Sequence, residues 1–133
     1  MQAAGMADLL GKAGRAGEGL QLTDRTLLAA DHGGAHWYDA ELYRVRAGLR
    51  QALDAESWRE VEKDLVQAIA TARAQSARYL ELRAATDLAR LWIARNERER
   101  AYDLLDPVLD GFTEGFGLPD LVTAKAWLEA AVH

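Results

Sequence analysis

The chain has no cysteine. Disulfides, thiolate metal sites and a cysteine nucleophile are therefore excluded. Only two of the 133 residues are proline, so long stretches lack the residue that breaks helices. Val, Ile and Thr together number 14, against 46 for Ala and Leu. Unbranched side chains lose little rotamer freedom in a helix, so this balance predicts helix rather than strand. Basic residues are in deficit, 16 against 21 acidic ones, and the net charge of −5 argues against a general nucleic-acid binder. No apolar run approaches the roughly 20 residues of a membrane span, and the first residues lack a signal-peptide pattern. The expectation is a soluble, cytoplasmic protein that contacts neither membrane nor nucleic acid. With 50% hydrophobic and 28% charged residues, residues 1–133 have the composition of one folded domain.

What is present is helical periodicity. Leu42, Val45, Leu49 and Leu53 form one stripe, and Trp58, Val61, Leu65, Ile69 and Ala72 another. Leu80, Ala84, Leu88, Leu91 and Trp92 form a third, Ala101, Leu105, Val108 and Phe112 a fourth, and Leu121, Ala124 and Leu128 a fifth. Steps of three and four put such residues on one helical face. No useful segment alternates with period two.

The breaks carry turn chemistry. Gly14 and Gly17 separate a first helix, about 3–13, from a second that starts near Glu18 and ends at Gly33-Gly34. Asp54 to Ser57 forms the next break, and Ser57 is placed to cap the helix holding Trp58. Asn96 marks a further turn, and Gly115, Gly117 and Pro119 the last. Pro119 suits the first turn of a final helix, with Asp120 beside its positive end. Pro107 lies within a stripe and predicts a kink or a restarted helix. Seven helices result.

The helices repeat in pairs. Gly19, Thr23 and Thr26 recur in spacing as Val61, Leu65 and Ala68, then as Ala101, Leu105 and Val108. Met6, Ala7 and Leu10 precede Gly19 by the same intervals at which Leu88, Ala89 and Trp92 precede Ala101. A small residue lets the paired helices approach, and a bulky one a turn away fills the gap. That offset is the tetratricopeptide arrangement, here with units longer than the usual length. The predicted fold is an all-α, tetratricopeptide-like α-solenoid. Its repeats span about 3–33, 35–74 and 78–117, and a capping helix spans 119–131.

The stretch Glu81 to Leu128 contains ELRAATDLARLW and RAYDLLDPVLDGFTEGFGLPDLVTAKAWL. It resembles the C-terminal tetratricopeptide-like segment of large bacterial multidomain signalling proteins. Those proteins carry an adenylate/guanylate cyclase domain or a DNA-binding domain ahead of an AAA-type ATPase module. GKAGRAGEGL (11–20) and HWYDAELYRVRAGL (36–49) are similar to the preceding repeats of that segment. The resemblance implies a helical scaffold or sensor arm. It carries over no cyclase or ATPase activity, because the chain lacks a Gly-x-x-x-x-Gly-Lys-Ser/Thr phosphate loop.

Candidate chemistry is sparse. His32 and His36, with Asp39 and Glu41 nearby, invite a zinc site. The pair straddles Gly33-Gly34, so no helix holds both imidazoles on one face, and a polar turn is the reading taken. Neither serine, Ser57 nor Ser76, sits in a nucleophile elbow. The pairs Asp103/Asp106 and Glu60/Asp64 read as solvated faces neutralised by Arg59, Lys63 and Arg100. No catalytic residue, metal or cofactor is assigned, and the protein is not expected to be an enzyme.

Arginines outnumber lysines 13 to 3. Arg83 and Arg90, seven residues apart with Asp87 between them, share a face of a first-type helix. In a tetratricopeptide array that face lines the groove and offers planar donors to a partner carboxylate. The plainer reading is surface arginine paired with Glu81 or Asp87. Most Trp and Tyr residues fall on the stripes, but Tyr38 and Tyr43 fall off or at the edge of theirs and are read as exposed anchors. Phe112 and Phe116 are expected under the final helix. The partner-binding groove is thus assigned to Tyr38, Tyr43, Arg83, Asp87 and Arg90. The expected function is a non-catalytic protein–protein interaction or scaffold module, whose partner is another protein or upstream domains of a longer chain. Self-association through the weakly apolar N-terminal end is also expected. The competing reading is a regulatory sensor arm that binds a small effector.

Overall fold

A computed structural model describes residues 3–12, 14–33 and 38–132, with side chains for 5–12, 14–28 and 38–132. Among the described residues there are seven α-helices and no strand: α1 (Ala3–Lys12), α2 (Ala16–Gly33), α3 (Asp39–Leu53), α4 (Trp58–Ala74), α5 (Arg78–Ala94), α6 (Arg98–Asp110) and α7 (Pro119–Val132). None of them is long and apolar enough to cross a membrane. Gly34, Ala35, His36 and Trp37 lie outside the described residues, as does the side chain of His32.

Each helix packs on the next in sequence. The odd-numbered helices α1, α3, α5 and α7 also touch in succession, whereas α2, α4 and α6 do not touch one another among the described residues. The stripes read from the sequence are the faces that make these contacts. Leu82, Leu88, Leu105 and Val61 are among the most deeply buried side chains. They belong to one cluster that runs from Ala47 to Ala131 across α3 to α7. A smaller cluster of Ala7, Leu27, Leu42, Val45 and Leu49 joins α1, α2 and α3. Leu53, expected at the end of the α3 stripe, is exposed.

The repeat interval between Ala7 and Gly19 has a steric cause. A Cβ built at Gly19 would lie 2.8 Å from the Ala7 carbonyl oxygen and 3.1 Å from a methyl of Leu49. Leu49 of α3 also reaches Gly11, where a Cβ would come within 2.6 Å of it. Ala89 and Ala101, at the same interval in the third pair, are both fully buried.

Three of the turns share one geometry. Gly14, Ser76 and Asn96 have φ of 79°, 55° and 63°. The residue after each donates five residues back, Arg15 to Leu10, Ala77 to Ala72 and Glu97 to Trp92, at 2.7–2.8 Å. This is the Schellman closure, which satisfies carbonyls at the end of one helix and starts the next at once.

Several local expectations are corrected. Ser57 occupies the N-cap position of α4 but makes no side-chain cap bond. Its hydroxyl instead donates to the carbonyls of Arg50 and Asp54, closing the end of α3. Pro107 does not restart a helix, because α6 runs through it to Asp110. It sits exposed in the last turn, where its missing N–H removes a single backbone bond near the helix end. Phe112 is half-buried, but Phe116 is 63% exposed rather than under α7. Val122 and Val132 are exposed on α7, beside exposed Thr123, Lys125 and Glu129.

Candidate functional site

The row formed by α1, α3, α5 and α7 carries a continuous chain of ion pairs of alternating sign. Arg83 of α5 donates from Nε to Asp120 Oδ2 of α7 at 2.8 Å and from Nη1 to Glu41 Oε2 of α3 at 2.9 Å. Glu41 also accepts from Arg44 Nε at 2.5 Å. Arg44 Nη1 crosses back to Asp87 Oδ2 of α5 at 3.1 Å. Asp87 ends the chain beside Arg90, at 3.5 Å. Three cations and three anions thus tie α3, α5 and α7 together.

The helical period explains which groups meet. Glu41 and Arg44 are three apart on α3, and Arg83, Asp87 and Arg90 recur at steps of four and three on α5, so each set shares a face. Burial opposes the charge on Arg44, but its hydrogen bonds and attraction to Glu41, then to Asp87, outweigh it and hold the guanidinium above its ordinary range. Arg83 is raised chiefly by its bond to Asp120, against some loss from burial, with Glu41 adding to the rise.

Two open hollows flank this chain. One, of about 220 Å3, is lined by Arg44, Arg83, Thr86, Asp87, Asp120 and Thr123. The other, of about 160 Å3, has Asp87 and Arg90 on one wall and Ala47, Gly48 and Leu91 among the rest. Asp87 is common to both. Thr86 Oγ1 donates to the Leu82 carbonyl at 2.7 Å, which ties that hydroxyl to the helix backbone.

Of the five residues expected at the groove, Arg83, Asp87 and Arg90 stand together on this face. Tyr38 and Tyr43 do not behave as exposed anchors. Both are half-buried, Tyr38 against the smaller cluster and Tyr43 between the two, and the Arg46 guanidinium stands 5.5 Å from the centre of the Tyr43 ring. Nor is Arg83 free to offer its fork to a partner carboxylate, because Glu41 and Asp120 already hold it. Glu81, the partner expected from the sequence, instead meets Arg73 at 2.6 Å. Glu41, Arg44, Thr86, Asp120 and Thr123 are site residues that sequence reasoning did not assign. The helical step from Glu41 to Arg44 was visible, but the cross-helix pairing was not.

The remaining arginines of α3 turn the other way. Arg46 binds Asp64 of α4 through Nη2 at 2.8 Å and Asp24 of α2 at 3.1 Å, and Arg50 Nε reaches Asp64 at 3.1 Å. Asp64 is therefore no part of a solvated face, being 4% exposed. Desolvation works against the charge on Arg46, and Asp64, then Asp24, more than offset it. Among the described residues no group of three His, Cys, Asp or Glu could hold a metal ion. No protein-family model, curated protein or solved structure matches this chain.

Proposed function

We propose that this chain is a tetratricopeptide-like interaction module that binds a protein partner along the face of α3, α5 and α7. The observation that carries the reading is the contact order. Odd-numbered helices touch in succession and even-numbered ones do not, which is how stacked helical hairpins build one continuous inner surface. The face is lined by paired charges and balanced in sign. Such a surface selects a partner by matching its signs in register more than by burying apolar area. The partner segment on this reading carries both signs, since each guanidinium of the ion-pair chain already has a carboxylate. No reacting group is needed, and the module acts as a scaffold.

Site-specific photo-crosslinking tests this. A crosslinker at exposed Thr123 should trap a discrete protein from source-cell extract, and Arg83→Ala with Asp87→Ala should abolish the product. A crosslinker at Glu99, exposed on α6, should trap nothing comparable. The same product from both positions, or a product that survives the double substitution, would remove the reading.

A second reading, a sensor arm of a cyclase- or ATPase-linked signalling protein, draws on the polar hollow of about 220 Å3. That is below the roughly 300–1,000 Å3 of ordinary ligand pockets, and its arginines are already neutralised. A rise in Tm with a small anion, lost in Arg83→Ala, would favour it.

A further inference from the structure

The net charge of this protein lies at one end. Residues 1–100 hold 15 basic and 15 acidic side chains, whereas residues 101–133 hold six acidic ones and a single base, Lys125. Along the sequence the whole −5 falls on residues 101–133, while from α5 Arg83 pairs with Asp120 and Arg78 stands 5.3 Å from the centre of the Phe112 ring. The same stretch lines an apolar groove of about 360 Å3 between α6 and α7. Leu109, Phe112, Leu121 and Leu128 form its apolar lining, and Phe116 stands beside them mostly exposed. Asp106 and Asp110, four apart on α6, form one rim, and Lys125 stands on the α7 side. Neither aspartate has an ion-pair partner among the described residues, in contrast to Glu41, Asp64, Asp87 and Asp120.

We infer that this groove docks a basic amphipathic helix of a partner protein. Its apolar side seats on Leu109, Phe112, Phe116 and Leu128, and its cations face Asp106 and Asp110. The volume accommodates a few apolar side chains of one helical stripe, which is how a helix occupies a groove. Charge chooses among amphipathic helices. An acidic or neutral one would leave both rim carboxylates unpaired against an apolar face, whereas Lys or Arg pairs with them and is drawn by the field of the whole C-terminal end. This site is separate from the α3–α5–α7 face and stands whether or not that face binds a partner.

The probe is a labelled synthetic helix of about 14 residues, near the length at which isolated helices begin to hold. It carries Leu at i, i+3, i+4 and i+7 and Lys elsewhere, and its control carries Glu in place of Lys. Fluorescence polarisation with the full chain should show binding of the Lys peptide only. Phe116→Asp, and separately Asp106→Lys with Asp110→Lys, should each weaken it at least about tenfold, which is 1.4 kcal/mol. Glu60→Lys with Glu99→Lys changes the net charge equally at two exposed positions elsewhere and should stay within about twofold, as distant sites do. Circular dichroism checks that each variant is folded. Equal loss in the Glu60/Glu99 variant would reduce the effect to general attraction and overturn the inference, as would binding of the Glu peptide or of neither. Self-association of the unmodified chain that both Phe116→Asp and Leu9→Glu abolish, with no peptide binding, would give the groove to a second copy instead.

Discussion

Gly19 and Gly48 are both glycines inside helices, and their surroundings give them opposite roles. Alanine is the better helix former by about 1 kcal/mol. At Gly48 nothing stands within 4 Å of a new methyl, so Gly48→Ala should stabilise the fold by up to about 1 kcal/mol. At Gly19 the methyl meets the Ala7 carbonyl at 2.8 Å, a backbone atom that moves only with its helix. Gly19→Ala should therefore destabilise by about 1–3 kcal/mol, the usual range for overpacking. Urea midpoints of the two variants check both signs. Charged residues divide in the same way. Asp64 is buried under Arg46 and Arg50, and Asp64→Ala leaves Arg50 without a carboxylate and Arg46 with Asp24 alone. A loss on the order of 3–5 kcal/mol is expected. Arg90 is half-exposed, and Arg90→Ala should cost no more than about 1 kcal/mol. Equal losses in the two variants would contradict the burial argument.

At the scale of elements, the turns after α1, α4 and α5 close with one bond pattern but three different residues in the left-handed conformation. Glycine adopts it freely, asparagine tolerates it, and serine is the least suited. The left-handed conformation costs a non-glycine residue roughly 1–2 kcal/mol, and glycine returns roughly 0.5–1 kcal/mol of that as extra freedom in the unfolded chain. Ser76→Gly should therefore raise stability by about 0.5–1 kcal/mol and leave the helices unchanged. Thermal unfolding followed by circular dichroism measures it, and a lowered Tm would show that the Ser76 side chain has a role of its own.

For the whole molecule, two cores of unequal size share α3. The larger runs through α3 to α7, and the smaller rests on five buried residues where α1 and α2 meet α3. In a stack that contacts only its neighbours, an end with little buried apolar surface opens first. Hydrogen exchange should therefore show α1 and α2 exchanging through a low-energy opening while α4, α5 and α6 exchange only through global unfolding. Uniform protection across the seven helices would contradict this. The charge asymmetry belongs to the same scale, because no single helix reveals that residues 101–133 carry the entire net charge.

The helices, their order and most buried stripes were legible in the sequence because a helix is a local object. Its period, its glycine and proline punctuation and its alanine and leucine content are all read within one turn or two. Leu65, Leu88 and Leu105 fall where the period puts them. The site was legible only where it is local too, in Arg83, Asp87 and Arg90. That Arg83 would be held by Glu41 and Asp120 rather than by Glu81, and that Asp64 would be buried beneath Arg46, depends on how helices far apart in sequence cross. The same holds for Tyr38 and Tyr43, whose places at the edge of a stripe became half-buried against the clusters that the packed helices form. Periodicity along a chain specifies which side of a helix is buried. Only tertiary packing decides which neighbour buries it and which charges are brought within reach.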